Sequence, residues 1–201
     1  MPLQIAKPPR AAEKAVHSML GRLIAEDPDL VPALRSASLS SLSISTPHRV
    51  AVLEVDQIDN GRSLRSVAQK KGWRFLVHHG KAVVATINTS VDRKGKHQFG
   101  HITDGPFVTG TERAIRRAEA LEPVQNGRFE LLLLQAPAIH VVALWLRNLE
   151  NGADLIVPIK PAPEPLRPNH ALSTSDFMAA AAEIASEVQR VHAQARRRRR
   201  S

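Results

Sequence analysis

Apolar positions with helical spacing predict a helix near each end of the chain. Between Ala11 and Ala25, the residues Val16, Leu20, Leu23 and Ile24 fall on one face of a helix. The same spacing near the C-terminus predicts a long helix capped by a serine, with apolar positions at Phe177, Ala181, Ile184, Val188 and Val191.

Short apolar runs rich in β-branched residues predict a largely antiparallel sheet. Two runs flank Gly80, and this arrangement is typical of a β-hairpin. Turn signals such as Asn151-Gly152 separate the later runs and predict a three-strand meander, in which a helix is the alternative for the second run. The hairpin runs are Trp73–His79 and Lys81–Thr89, the meander runs are Phe129–Gln135, Ile139–Arg147 and Asp154–Ile159, and Arg49–Val55 is a further strand.

Polar segments between these elements indicate how the chain is organised. Residues 1–10 hold three prolines and are expected to form a flexible arm before a single domain at 11–195. Within that domain, a serine-rich connector is predicted at 36–45 and a proline-rich connector at 160–168. A polybasic tail follows at 196–201. The predicted fold class is α+β, with a mainly antiparallel sheet, helices packed on one face and a long C-terminal helix.

The stretch Ser90–Phe107 is polar and contains three glycines, which predicts a long loop. Loops of this length are uncommon in compact domains and are often functional. Thr109 and Glu112 then fit the N-cap and N3 positions of a capping box, so a helix is expected from Thr109 to about Leu121. The loop and the start of this helix are therefore candidates for a site.

Composition excludes several classes of protein. The 201 residues include no cysteine, which rules out disulfides, thiolate metal ligands and a cysteine nucleophile. Residues 1–14 lack the apolar segment of a signal peptide, and the longest apolar run, Ala136–Leu146, is too short to span a bilayer. We therefore expect a cytoplasmic protein without a membrane span.

Net charge is +9, and five of those charges lie together at Arg196–Arg200. Neighbouring guanidinium groups repel one another, and phosphates or carboxylates relieve that repulsion through charge-assisted hydrogen bonds. The run therefore predicts contact with a nucleic-acid backbone or an acidic protein partner. The alternative is a solvated tail in a GC-rich bacterial gene, because the chain favours arginine over lysine throughout.

Other cations lie in the predicted loop and in the helix after it, where they could extend a basic surface. Glutamates dilute that helix, and no nucleic-acid-binding motif is present. Any such contact is therefore expected to be independent of base sequence. The predicted anion-binding residues are Arg196, Arg197, Arg198, Arg199, Arg200, Arg93, Lys94, Lys96, Arg113 and Arg117.

A second candidate lies in the same predicted loop. His97, His101 and Asp104 supply two imidazoles and a carboxylate, a ligand set that zinc or iron accepts. Histidines four apart converge most readily on a helix, however, and Gly100 and Gly105 argue against a helix here. Surface histidines in a polar loop are the alternative interpretation.

No motif of a known reaction is present, so the sequence favours a non-enzymatic interaction module without a cofactor. In this hypothesis the basic tail contacts the acidic partner or nucleic acid. A small metal-dependent enzyme or ligand-binding domain centred on the His97, His101 and Asp104 set is the first alternative. A subunit of a larger assembly is the second, and the oligomeric state is left open.

Overall fold

The computed structural model describes residues 3–26, 31–35, 37–58, 61–92 and 94–198, with backbone alone for 192, 193 and 196–198. The strands are β1 (Leu3–Gln4), β2 (Leu42–Val52), β3 (Gln69–His79), β4 (Ala82–Val91), β5 (His97–Thr103), β6 (Phe129–Ala136), β7 (Val141–Asn148), β8 (Leu155–Pro158) and β9 (Leu172–Ser173). The helices are α1 (Arg10–Glu26), α2 (Leu64–Val67), α3 (Pro106–Glu119), α4 (Glu122–Asn126) and α5 (Thr174–Arg198).

The nine strands of the described residues belong to one sheet, in the order β5-β4-β3-β2-β6-β7-β8-β9, with β1 beside β6. Most neighbours are antiparallel, but β2 and β1 both pair with β6 in the parallel sense. β1 lies opposite Phe129 and Glu130, and β2 lies opposite Leu132–Gln135, so the two strands follow one another along the same side of β6. This β2–β6 seam joins an antiparallel half, β2 to β5, to a second antiparallel half, β6 to β9.

The alternating side chains of β6 show that helices cover both faces of the sheet. Leu132 and Leu134 pack in a core with α2 and α5, which defines the α5 face. Leu131 and Leu133 pack in a second core with α3 and α4, which defines the α3 face. The prediction that helices pack on one face was therefore wrong, because the central strands are apolar on both sides and each side needs a cover.

The first half of the sheet has its own core on the α5 face. There α1 packs against alternate residues of β3, among them Trp73, Phe75 and Val77. Gly72 allows β3 to approach β4, because a Cβ at this position would lie 1.8 Å from the carbonyl oxygen of Thr89.

The α+β class, the mainly antiparallel sheet, the hairpin (β3 and β4) and the three-strand meander (β6 to β8) are confirmed. The strand interpretation of the second meander run is also confirmed, as β7. The proline-rich connector at 160–168 contains no helix or strand. No helix in the described part of the chain combines the length and apolar character needed to cross a membrane.

Three expectations about polar segments were wrong. The expected arm at 1–10 contains β1, because Leu3 is buried against the sheet. The serine-rich connector contains the start of β2, whose residues 42–45 pair with β3. The predicted loop Ser90–Phe107 contains β5, an edge strand whose exposed positions are polar. In addition, α3 begins at Pro106 after Gly105, so Thr109 is inside the helix rather than at its N-cap.

Candidate functional site

The described members of the predicted anion-binding set lie at three separate places. Lys94 and Lys96 are exposed at the turn between β4 and β5, at one edge of the sheet. Arg113 and Arg117 are exposed on α3, on the α3 face. The backbone of 196–198 is the last turn of α5, which docks on the opposite face, while residues 93, 199 and 200 lie outside the described residues.

α5 has a docked part and a projecting part. Its first part buries apolar side chains against the α5 face, ending with Ile184 and Ala185. Beyond Ala185, every described side chain except Val188 is exposed, and Val191 is 50% exposed. Val188 still packs against the core of the α5 face, and beyond it the helix continues for 10 residues to Arg198, which is roughly 15 Å at 1.5 Å per residue. We call residues 189–198 the basic arm.

A cleft of about 780 Å³ runs along α3 and reaches Val157 and Asn169. Arg113 and Arg117 line it on successive turns of the helix. Arg116 also lines it but pairs with Glu112. The cleft therefore has a cationic wall on a solvent-exposed helix, where isolated charges are strongly screened.

The structure does not bring together the two histidines that the metal-site alternative suggested. His97 and His101 are on β5, and a bulge at Gly100 places Phe99 opposite Thr89 and His101 opposite Asn88. The bulge turns His97 to the α5 face and His101 to the α3 face. Among the residues that the structure describes, no three His, Asp or Glu side chains converge as a metal ion requires.

A row of polar side chains crosses the α3 face where an apolar core is expected. His48 lies opposite Arg74, Arg74 lies opposite Asn88, and Asn88 lies opposite His101, on four adjacent strands from β2 to β5. His48 is fully buried, Arg74 and Asn88 are each 5% exposed, and His101 opens to solvent. We call these four residues the polar row.

Hydrogen bonds fix the orientation of the polar row. Arg74 Nε donates to Asn88 Oδ1 at 2.7 Å, and Asn88 Nδ2 is 3.1 Å from His101 Nε2. Because a guanidinium can only donate, the amide oxygen of Asn88 must face Arg74 and its NH₂ must face His101. His101 Nε2 is therefore the acceptor, and its Nδ1 carries the proton when the ring is neutral.

Electrostatics in the polar row are dominated by Arg74. Burial lowers the pKa of Arg74 to about 10, so the guanidinium stays charged at neutral pH. Burial, and then the Arg74 charge, lower the pKa of His48 to about 4. The same two causes lower the pKa of His101. The row is therefore one buried cation flanked by two neutral imidazoles.

Arg74 has no carboxylate partner among the described residues, and this sets it apart from other arginines in the structure. Arg65 binds the buried carboxylate of Asp154, and Arg147 binds Glu130. Only the Nε of Arg74 has a hydrogen-bond partner, so its terminal nitrogens are unpaired in the described part of the chain. A buried charge without a partner is costly, and groups of this kind concentrate at functional sites.

Sequence reasoning missed three of the four residues in the polar row. His48, Arg74 and Asn88 are far apart in the chain, and only the strand register brings them together. One signal was present: Arg74 interrupts the apolar run from Trp73 to Val77, with no acidic residue near it in the sequence. A charged residue in a buried strand is rare unless it is paired or has a function.

Comparisons of the chain with protein-family models, with curated proteins and with solved structures find no match.

Proposed function

We propose that this protein is a non-enzymatic interaction module whose basic arm contacts the phosphate backbone of a nucleic acid. The observation that carries the proposal is the path of α5, which leaves the sheet after Val188 and continues to the backbone of residues 196–198. A helix that extends beyond the body of the protein can reach a large polyanion without steric conflict.

Charge spacing favours a nucleic acid over an acidic protein surface. Five consecutive arginines concentrate five positive charges in a short segment. Duplex DNA carries one negative charge per roughly 1.7 Å of its axis, so its phosphates are dense enough to neutralise such a segment. Carboxylates on a folded protein surface are seldom this dense, so we treat an acidic protein as the alternative partner.

Contact of this kind is independent of base sequence. Aromatic residues make up only 3% of the chain, and exposed aromatic side chains are what single-stranded bases stack on. Lys94, Lys96, Arg113 and Arg117 lie elsewhere on the body and would act as separate, weaker phosphate contacts. Counterion release would supply most of the binding free energy.

Replacing all five arginines at 196–200 by glutamine tests the proposal. Glutamine keeps the helix propensity and removes the charge, so we expect the affinity for a generic duplex to fall by tenfold or more at low salt. The full-length chain should show a log K against log salt slope of roughly −4 to −5 from these five charges, and the variant should lose that slope. Fluorescence anisotropy across a salt series measures both quantities.

Replacing the same five residues by lysine is the matched control, because it keeps the charge and should keep most of the binding. Poly-glutamate as a competitor tests the acidic-protein alternative: if it displaces the duplex at equal charge concentration, the arm does not discriminate between the two classes. Unchanged duplex binding by the glutamine variant at every salt concentration would refute the proposal.

A further inference from the structure

The polar row ends at a small cavity on the α3 face. This cavity has a volume of about 130 Å³, enough for a small charged head group but not for a larger ligand. Its polar lining comes from Lys71, Asn88, Ser90, His101 and Gln135. All five side chains can donate hydrogen bonds, and four of them are on the antiparallel half that holds Arg74.

The orientation of Asn88 directs donors into this cavity. Because Arg74 holds the amide oxygen, the NH₂ group of Asn88 faces the cavity side, and one of its two hydrogens goes to His101 Nε2. The second hydrogen has no partner in the described part of the chain. His101 has its Nδ1–H available as a further donor. The lining of the cavity therefore includes side-chain donors from both β4 and β5.

The local charge is also favourable for an anion. Arg74 lies behind Asn88 and carries a buried positive charge with no carboxylate to balance it among the described residues. Among the described residues no Asp or Glu lines the cavity, and the exposed side chain of Lys71 adds a second cation to its lining. An anion bound here is therefore compensated by nearby positive charge.

A larger cleft of about 410 Å³ adjoins the cavity, and the two share His101 and Gln135 in their linings. The other walls of the cleft include Phe107, Val141 and Val142, which are apolar. Its volume is in the range of small-molecule pockets. A ligand in this cleft would contact apolar side chains at one end and the hydrogen-bond donors of the cavity lining at the other.

From these features we infer that the cavity and cleft bind a small organic acid with an apolar body. The carboxylate takes the donors of Asn88 and His101 in the field of Arg74, and the apolar body lies against Phe107 and Val142. This site is on the α3 face and is independent of the basic arm, so either proposal can fail without the other.

Sodium 3-phenylpropionate is the probe, and its neutral analogue 3-phenylpropionamide is the control ligand of the same shape. We expect saturable binding of the acid to the full-length protein by isothermal titration calorimetry, at least tenfold tighter than binding of the amide. Replacing the buried cation (Arg74→Met) should abolish that preference. The same change should raise the midpoint of thermal unfolding, because it removes an unpaired buried charge at similar volume.

Gln135→Glu is a second variant that does not depend on the fold tolerating a change at Arg74. The substitution adds a negative charge, with almost no change in side-chain volume, at a residue that lines both the cavity and the cleft. It should therefore weaken binding of the acid and leave binding of the amide unchanged. Arg167→Met, at an exposed arginine in the proline-rich connector, is the matched control and should change neither ligand's affinity. Equal affinity for acid and amide in the wild-type protein, or full acid binding in both test variants, would overturn the inference. Tighter binding of inorganic phosphate than of the acid would overturn its assignment to carboxylates.

Discussion

His48 shows how the buried cation of Arg74 affects the pKa of a neighbouring imidazole. Its Nδ1 donates to the carbonyl oxygen of Thr46 at 2.7 Å, and its Nε2 is buried without a partner. A proton on Nε2 would therefore add an unsolvated charge beside Arg74. Burial and the Arg74 charge lower the pKa of His48 to about 4, well below its ordinary value of 6.5.

This depressed pKa makes stability depend on pH. Between pH 6.5 and 4 the unfolded chain binds a proton at His48 that the folded chain excludes, so stability falls as pH falls through this window. We expect His48 to account for about 3 kcal/mol of that loss, the full contribution being present above pH 6.5. Urea denaturation at pH 7, 5.5 and 4 measures the free energy of unfolding.

His48→Gln is the variant that isolates the effect, because glutamine can donate to Thr46 but does not titrate. Its free energy of unfolding should fall less steeply from pH 7 to pH 4 than that of the wild-type protein. Parallel pH profiles for the two proteins would show that His48 titrates normally in the folded state. His17, which is exposed on α1, offers a matched control: replacing it by glutamine should leave the profile unchanged.

At the element scale, Asp154 holds the turn between β7 and β8. Its carboxylate accepts hydrogen bonds from Trp145 Nε1 and from the backbone N of Asn148, each at 2.8 Å, and it binds Arg65. Asp154 is 3% exposed, so neither of the first two donors can turn to water if it is removed. This carboxylate therefore connects α2 and β7 to the start of β8.

Replacing this carboxylate (Asp154→Ala) should destabilise the protein by about 3–5 kcal/mol, because it leaves the two buried donors without an acceptor and removes the ion-pair partner of Arg65. Arg22→Ala is the comparison, since it breaks the exposed pair with Glu26 and should cost less than about 1 kcal/mol. Chemical denaturation followed by far-ultraviolet circular dichroism gives both values. A similar loss in the free energy of unfolding for the two variants would show that Asp154 stabilises the protein no more than an exposed ion pair does.

Elements were predictable from the sequence where one pattern dominated. The hairpin around Gly80 and the meander have strong apolar runs and clear turn signals, and both were found. β5 was missed because it is an edge strand with a glycine bulge, so its residues are mostly polar and read as a loop. The start of α3 was misplaced because Thr109 and Glu112 imitate a capping box inside the helix.

For the molecule as a whole, the sequence predicted the α+β class but did not predict that helices cover both faces of the sheet. Four consecutive leucines in β6 point alternately to the two faces of the sheet. Because the side chains on both faces are apolar, the pattern does not show which face a helix covers. The polar row was beyond prediction for a related reason. Residues such as Arg74 and His101 meet only through the register of several strand pairs, and the bulge at Gly100 decides the face of His101.

The β2–β6 seam has a consequence for the order in which the protein folds. Arg49 lies opposite Leu132, 83 residues further along the chain, whereas β3 and β4 are joined by two residues. Closing the long loop costs more chain entropy than closing the hairpin. The contacts that offset this cost form only when both halves are already folded. We expect the two antiparallel halves to gain structure first and the parallel seam to close last. Pulse-labelled hydrogen exchange during refolding should protect amides in β3 and β7 before those of β2 that face β6, and simultaneous protection would contradict this order.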